Sequence, residues 1–197
     1  MDHTQNMSSR SQSLRDKILN AALDLFSKQG YFNTSVHDIR KAANVSTGAI
    51  YHHFKNKEAL AKSLYESLLA EMDEAIENAC LNEIGCLAKS KAIIEKMFAL
   101  TMEQPRNMQF ILLAQHREYL PSEAPICSSK PFQTMKQVVV EGIAKGEVRK
   151  MDAWVAATSM FGGALRMMNL QLDGVLTEPL NNYIDEVVTC AWNGIKM

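Results

Sequence analysis

The chain has 197 residues and a net charge of −1, and 47% of its residues are hydrophobic but only 7% aromatic. This length suits one domain with a small appendage, or one continuous helical body whose core is filled by aliphatic side chains and methionine. The longest apolar runs are far short of the ~20 residues that span a bilayer, and the polar N-terminus lacks the apolar region of a signal peptide. Four scattered cysteines form no zinc-ligand pattern, so we expect reduced thiols in a cytoplasm, with no metal or other cofactor.

Charge is divided unevenly along the chain. Residues 1–57 carry eight lysines and arginines against four acidic residues, whereas residues 58–197 carry thirteen against eighteen. Positive side chains attract anionic groups such as nucleic-acid phosphates over about 8–10 Å at ordinary salt. The local excess of positive charge in residues 1–57 therefore counts for more than the net charge of the chain. Residues 1–12 predict a flexible arm, and Arg10 and Arg15 could touch an anionic partner such as a nucleic acid; a solvated tail explains the arm equally well.

Residues 34–60 contain two short helical patterns joined by a tight turn. The first is Val36–Ala43, and the second runs from Ser46 to about Phe54. Asn44 stands where the turn needs a left-handed residue, a conformation that Asn tolerates best after Gly. Ser46 is a natural N-cap for the second helix. Two short helices joined in this way form the DNA-binding helix-turn-helix, although a helical hairpin without a DNA role also fits the bare pattern.

The rest of the chain predicts helix nearly throughout and no strand. In the first of these helices an apolar residue recurs at every fourth position, namely Leu60, Leu64, Leu68, Met72 and Ile76. The predicted helices are Lys57–Cys80, Ser90–Glu103, Asn107–Leu120, Phe132–Lys145, Asp152 to about Leu172, and Leu180–Ile195. The predicted fold class is therefore all-α.

The order T-x-x-x-I-x-x-A-A-x-V-S-x-G-x-I-Y-H-H-F-x-N-K-E-A-L resembles the DNA-binding domain of TetR-family transcriptional regulators. The close resemblance covers roughly residues 13–65. It implies a three-helix DNA-binding domain at residues 13–58 and a helical domain at residues 59–197 that binds an effector and dimerises. It also makes repression more probable than activation, because occupancy of the operator is enough to repress.

The resemblance also assigns DNA contacts to individual residues. The recognition helix places small residues and Tyr51 towards the major groove, and His37 on the preceding helix matches a position that reaches bases. The predicted DNA-binding residues are Ser35, His37, Ser46, Thr47, Gly48, Ala49, Tyr51, His52 and Lys57. Thr47 stands where many relatives carry a longer polar or basic side chain. The recognition helix therefore offers few side-chain groups that can hydrogen-bond the edges of bases. His37 therefore carries more of the predicted specificity, unless it is simply an exposed surface histidine.

The last two predicted helices suggest a dimer. The helix from Asp152 to Leu172 is apolar nearly all round, and the sequence Gly162-Gly163-Ala164 permits close helix approach. A helix with two apolar faces needs two partners, and one could be another subunit; an internal helix pair in a monomer is the alternative. The resemblance implies that these two helices pair with their symmetry mates. Such a dimer presents two recognition helices to a palindromic operator.

An effector site within the second domain is a further implication of the resemblance. An effector that binds the two states with different affinity shifts the spacing of the two recognition helices. The apolar candidates suggest a lipophilic ligand, because methionine adapts to varied apolar shapes. The candidate residues are Met97, Phe98, Met102, Phe110, His116, Tyr119, Phe132, Met135, Phe161, Arg166 and Met167. Core packing explains the apolar ones equally well, and Arg166 could instead pair with an acidic residue such as Glu118.

Other classes of function have weaker support. The sequence contains no glycine-rich phosphate loop, nucleophile elbow or metal-ligand spacing, so we do not expect an enzyme. A redox-responsive regulator could use Cys127, which lies in a loop-like segment. A helical module that binds only protein would require the pattern at residues 34–60 to be accidental.

Overall fold

The computed structural model describes the backbone of residues 3–197 and the side chains from Ser13 onward. The predicted arm, with Arg10, lies outside the residues whose side chains are described. Residues 3–197 contain nine α-helices and no strand, which confirms the predicted all-α class; the β-type pairing they show is an isolated bridge between Val148 and Lys196. The α-helices are α1 (His3–Gln29), α2 (Val36–Ala43), α3 (Thr47–His53), α4 (Lys57–Cys80), α5 (Cys86–Glu103), α6 (Pro105–Leu113), α7 (Lys130–Ala144), α8 (Ala153–Leu172) and α9 (Ile184–Asn193).

The chain divides into two compact units. Unit 1 comprises residues 1–67 and 114–123, and unit 2 comprises residues 68–113 and 124–197. The sequence did not predict that residues 114–123, which lie far along the chain, group with the N-terminal part. The division into domains 13–58 and 59–197 therefore stays a proposal.

Unit 1 is a small helical domain around one apolar core. α1 packs against α2 and α3, and α2 packs against α3. The core side chains are Ile18, Ala22, Phe26, Ile39, Ile50, Phe54, Leu60 and Leu64, all at most 5% exposed. Burial of each of the larger side chains, all but Ala22, contributes about 1.5–3 kcal/mol, and this packing holds the two short helices that could not form alone.

Unit 2 is built around α5, which packs against α6, α7, α8 and α9. The predicted helices have the right order, but several ends differ. α5 begins at Cys86 rather than Ser90, because the positive φ of Gly85 (87°) turns the chain there. Pro105 opens α6 instead of only ending the helix before it, as expected of a residue whose missing N–H costs nothing in the first turn.

The predicted helix Asn107–Leu120 is wrong at its C-terminal end. α6 ends at Leu113, and His116–Glu118 form a short 3₁₀ turn. The predicted helix Leu180–Ile195 likewise starts as a 3₁₀ turn over Leu180–Tyr183 before α9 begins. By contrast, α2 and α4 have their predicted bounds, and Asp152 caps α8 by accepting hydrogen bonds from the Trp154 and Val155 N–H groups.

Long-range contacts fix the start of α5 in unit 2. The Glu147 carboxylate accepts a 2.7 Å hydrogen bond from the Cys86 N–H at the start of α5. Gly142 on α7 lies so close to Cys86 that an added Cβ would stand 2.7 Å from the Cys86 Sγ. Among residues 3–197, no helix is long and apolar enough to cross a membrane.

Candidate nucleic-acid interface

The first helix of the helix-turn-helix begins with a reciprocal cap. The Asp38 N–H donates to the Ser35 Oγ at 3.1 Å, and the Ser35 N–H donates to the Asp38 Oδ2 at 2.9 Å. The hydrogen bonds from Ser35 hold the pKa of Asp38 below its ordinary value. Ser35, predicted to contact phosphate, therefore already uses its hydroxyl within the protein to start α2. Its contact with DNA stays a prediction.

The turn between α2 and α3 has the geometry that the sequence predicted. Asn44 adopts φ 52° and ψ 52°, and its N–H binds the last carbonyls of α2. Ser46 caps α3 by accepting a 3.1 Å hydrogen bond from the Ala49 N–H. These two residues fix the angle at which α3 leaves the turn.

The recognition helix α3 buries one side chain and exposes most of the others. Ile50 is 1% exposed and anchors the helix, whereas Tyr51 is 53% exposed. Thr47, Gly48 and His52 are also exposed, and Ala49 is half-buried. The exposed face can therefore meet a DNA groove without any change in the core.

Gly48 has no packing role within the described residues. An added Cβ would meet only the Ser46 Oγ, at 3.9 Å. Glycine inside a helix costs roughly 1 kcal/mol relative to alanine, so a packing or functional reason is expected. Close approach of a DNA backbone to α3 supplies such a reason.

His37 and the residues around α3 form the rest of the candidate surface. His37 is exposed on α2, beside the exposed Lys41. His53 is half-buried, and burial together with His52 and Arg15 lowers its pKa, so it is neutral over more of the physiological range. The Arg15 guanidinium lies 5.6 Å from the centre of the Phe54 ring, which holds this cation at the surface of unit 1.

Lys57 has a partner set that the sequence did not predict. Its Nζ donates to the carbonyl oxygens of Tyr31 and Thr34, each at 2.9 Å, and lies 4.0 Å from the centre of the Tyr31 ring. Burial lowers the pKa of this ammonium. Lys57 thus fastens the loop between α1 and α2, and its predicted phosphate contact stays a prediction.

Two predicted effector residues belong to unit 1. The Tyr119 Oη and the His116 Nδ1 form a 2.7 Å hydrogen bond, and both side chains are 8% exposed. The Tyr119 ring stacks on that of Tyr31, and His116 lies over Tyr65. Burial raises the pKa of the Tyr119 hydroxyl, which keeps it protonated. The sequence did not predict that Tyr31 and Tyr65 contact this pair. The i, i+3 spacing of His116 and Tyr119 was the feature of the sequence that pointed to the cluster.

The apolar effector candidates are distributed through unit 2. Met97, Phe98, Phe110, Met135 and Phe161 are at most 4% exposed, as expected of core residues and of an enclosed site alike. Met102 is 40% exposed and Phe132 is half-buried. Their role in effector binding stays a prediction.

Arg166 and Met167 lie in a surface groove between α8 and α9. The groove has a volume of about 650 Å³. Its lining residues are Ser159, Gly163, Arg166, Met167, Tyr183, Glu186, Val187, Cys190 and Ala191. Arg166 thus shares this groove with an acidic side chain, Glu186, in an open position rather than in the interior.

Two polar residues of α8 were not among the predicted site residues. The side-chain oxygens of Asn169 and Gln171 are buried, and neither has a hydrogen-bond partner among the described residues. A buried amide oxygen without a partner costs about 1–3 kcal/mol, which marks these positions as unusual in a helix that is otherwise largely apolar.

The cysteines differ in exposure. Cys127 and Cys190 are exposed, and Cys86 is buried. Burial raises the pKa of the Cys80 and Cys86 thiols, which makes them poor nucleophiles. Within the described residues, no three His, Cys, Asp or Glu side chains are grouped closely enough to hold a metal ion.

A capped helix-turn-helix with an exposed recognition helix defines a DNA-binding transcriptional regulator. Residues 18–64 match the family described as bacterial regulatory proteins of the tetR family, and residues 65–197 match the tetracyclin repressor-like C-terminal domain. The chain belongs to the tetR family, whose members are transcriptional regulators and not enzymes.

The chain is also similar to individual proteins, in sequence to a curated relative and in fold to solved structures. The chain is 27% identical over 150 residues to the fatty acid metabolism regulator protein of Bacillus subtilis, covering 74% of this chain and 77% of that one. A TetR family regulator from Marinobacter aquaeolei has the same fold, with a TM-score of 0.82, 18% identity, and coverage of 96% and 98% of the two chains. FadR from Bacillus subtilis, solved in complex with stearoyl-CoA, gives a TM-score of 0.78 at 23% identity, covering 91% of this chain and 98% of that one.

Proposed function

We propose that this protein is a homodimeric repressor that leaves a palindromic operator when a lipophilic effector binds in unit 2. The observation that carries the DNA-binding half is the exposed face of α3, where Gly48 is free of packing demands and Tyr51 is exposed. Because bacterial DNA lies in the cytoplasm, a regulator of this kind works there. Occupancy of an operator is sufficient for repression.

The surface of α8 and α9 supports dimerisation. Val155 is 53% exposed on α8, and an added Cβ on Gly163 would meet nothing within 4 Å. The chain alone therefore gives no reason for a glycine there, whereas close approach of a second copy of α8 does. The groove that contains Arg166 and Glu186 presents both charges to such a partner, as a self-complementary two-fold interface requires.

The chemistry of unit 2 supports a lipophilic effector, and we propose a long-chain acyl-CoA as the class to test first. The candidate residues combine methionine and phenylalanine, which suit an acyl chain. The unpaired amide oxygens of Asn169 and Gln171 suit the amide N–H groups of a CoA arm. A relative named as a fatty acid metabolism regulator and a FadR structure with stearoyl-CoA point to the same class.

Operator binding tests the proposal directly. Fluorescence anisotropy with the promoter of the protein's own gene should give a salt-sensitive, sequence-specific complex, and Tyr51→Ala should weaken it about 10-fold, equal to about 1.4 kcal/mol. Asn20→Ala is the control in the same unit, because Asn20 is exposed on α1, carries no charge and has no predicted role. The dimer should survive both changes in sedimentation. Absence of any specific complex with this promoter and neighbouring promoters would contradict the proposal.

A further inference from the structure

Residues 114–123 form a short segment of unit 1 whose neighbours in sequence belong to unit 2. The chain enters the segment from α6, which ends at Leu113, and leaves it at Ala124. Both ends of the segment are thus covalently continuous with unit 2. A displacement of either end must be absorbed by the segment or passed to what it touches.

The segment touches the loop between α1 and α2 through Tyr119, whose ring stacks on Tyr31 and meets the Phe32 ring edge-on at 6.2 Å. The rings of Tyr119 and Tyr31 are 3.9 Å apart and nearly parallel, at 9°. The Lys57 Nζ lies 4.0 Å over the same Tyr31 ring. Two groups at this distance cannot share one face of a ring, so the Tyr31 ring is held between Tyr119 and Lys57.

Other contacts hold Tyr119 in place. His116, at the start of the 3₁₀ turn, hydrogen-bonds the Tyr119 hydroxyl and lies 4.0 Å from Tyr65 on α4. Near the end of the segment, Glu123 and Lys62 form a 2.6 Å ion pair. The hydrogen bond to His116 thus orients the Tyr119 ring in addition to its contact with Tyr31.

The loop held in this way leads straight into the helix-turn-helix. Lys57 binds the carbonyls of Tyr31 and Thr34, and Thr34 is buried with its hydroxyl donating to the Gly30 carbonyl at 2.8 Å. The next residue, Ser35, caps α2. The geometry of residues 30–34 thus determines where α2 begins, and the turn at Asn44 transmits this to α3.

We propose that Tyr119 is a positioning residue for operator binding. With Lys57 it clamps residues 30–34, so that the segment 114–123 sets the placement of α2 and α3. This clamp is also the route by which a ligand in unit 2 changes operator affinity, a part of the proposal that rests on the effector proposed above.

The test uses the full-length, ligand-free protein and three variants. Tyr119→Leu removes the ring, Tyr119→Phe keeps the ring and removes only the hydroxyl, and Val139→Ala truncates a buried residue of α7 as a control for general destabilisation. Tyr119→Leu should lower operator affinity about 3- to 10-fold, the effect expected of an aromatic pair, and should speed amide hydrogen exchange at residues 30–43. Tyr119→Phe keeps the stack on Tyr31 and loses the hydrogen bond to His116, so its operator affinity and exchange should lie nearer to wild type than those of Tyr119→Leu, and Val139→Ala should leave residues 30–43 protected.

Three results would overturn the clamp: unchanged operator affinity and exchange in Tyr119→Leu, equal defects in Tyr119→Phe, or the same exchange pattern in Val139→Ala. Stearoyl-CoA then serves as the probe for the route. It should release wild type from the operator and change the affinity of Tyr119→Leu less, whereas an equal change would overturn the route. If wild type ignores the probe, the acyl-CoA proposal fails while the ligand-free comparison still decides the clamp.

Discussion

Unit 1 and unit 2 fix their helix ends in different ways. In unit 1 the caps are local: Ser35, Ser46 and Asn56 each bind a backbone N–H three residues further on. In unit 2, Asp152 caps α8 in the same local way, but the start of α5 depends on a distant partner, since the Glu147 carboxylate that binds the Cys86 N–H lies 61 residues away. The ends of the short helices in unit 1 are therefore specified by neighbouring residues, whereas unit 2 depends also on how remote helices pack.

A substitution at Gly142 should break the distant kind of contact and have the largest effect. Gly142→Ala places a Cβ 2.7 Å from the Cys86 Cβ and 3.0 Å from the Val148 side chain, in a core where neither can move far. We expect unit 2 to lose about 3 kcal/mol of unfolding free energy, measured by urea denaturation.

Gly48→Ala is the matched control in unit 1. Its added Cβ meets only the Ser46 Oγ at 3.9 Å, so the helix should gain up to ~1 kcal/mol while operator binding weakens. If Gly142→Ala is as stable as wild type, the close packing between α7 and the start of α5 is not what holds unit 2.

Lys57 makes a long-range contact within unit 1, and its removal should have the next largest effect. Lys57→Met leaves the Tyr31 and Thr34 carbonyls without their donor, which we expect to cost about 2 kcal/mol of unfolding free energy. Lys55→Met, at an exposed position two residues earlier, should cost almost nothing. Full stability of Lys57→Met together with weak operator binding would instead identify Lys57 as a phosphate contact.

The smallest effect concerns the turn of the helix-turn-helix. Asn44→Ala removes the side-chain amide that helps asparagine to adopt φ 52°. This should cost about 1 kcal/mol of unfolding free energy. Asn44→Gly should be as stable as wild type or slightly more so, because glycine adopts this conformation freely. Equal stability of both variants in thermal unfolding would show that the left-handed geometry carries no cost here.

The same contrast explains how much the sequence predicted. The bounds of α2 and α4, the left-handed Asn44 and the Ser46 cap follow from neighbouring residue types, and all are confirmed. The end of α6 was predicted wrongly, because the apolar pattern of residues 107–120 continues past Leu113 although the helix does not.

The partners of Lys57 and Tyr119 could not be predicted for a related reason. Both contact Tyr31, which lies 26 residues from Lys57 and much further from Tyr119. No local periodicity relates such positions, since only the folded chain brings them together. A charged residue at the start of a helix predicts a contact with an external partner. Lys57 shows that the carbonyl groups of a neighbouring loop can bind the charged group instead.

The C-terminal residues have a consequence for chain entropy. Val148 and Lys196 form an antiparallel bridge, the Arg149 N–H donates to the Ile195 carbonyl at 2.9 Å, and the Met197 N–H donates to the Glu147 carbonyl at 3.3 Å. These contacts close residues 147–197 into one loop, which contains both α8 and α9. The entropic cost of closing a loop rises only slowly with its length, so extra residues within this loop add little to the cost. Insertions between α8 and α9 should therefore be tolerated far better than loss of the last few residues, which tie the loop shut.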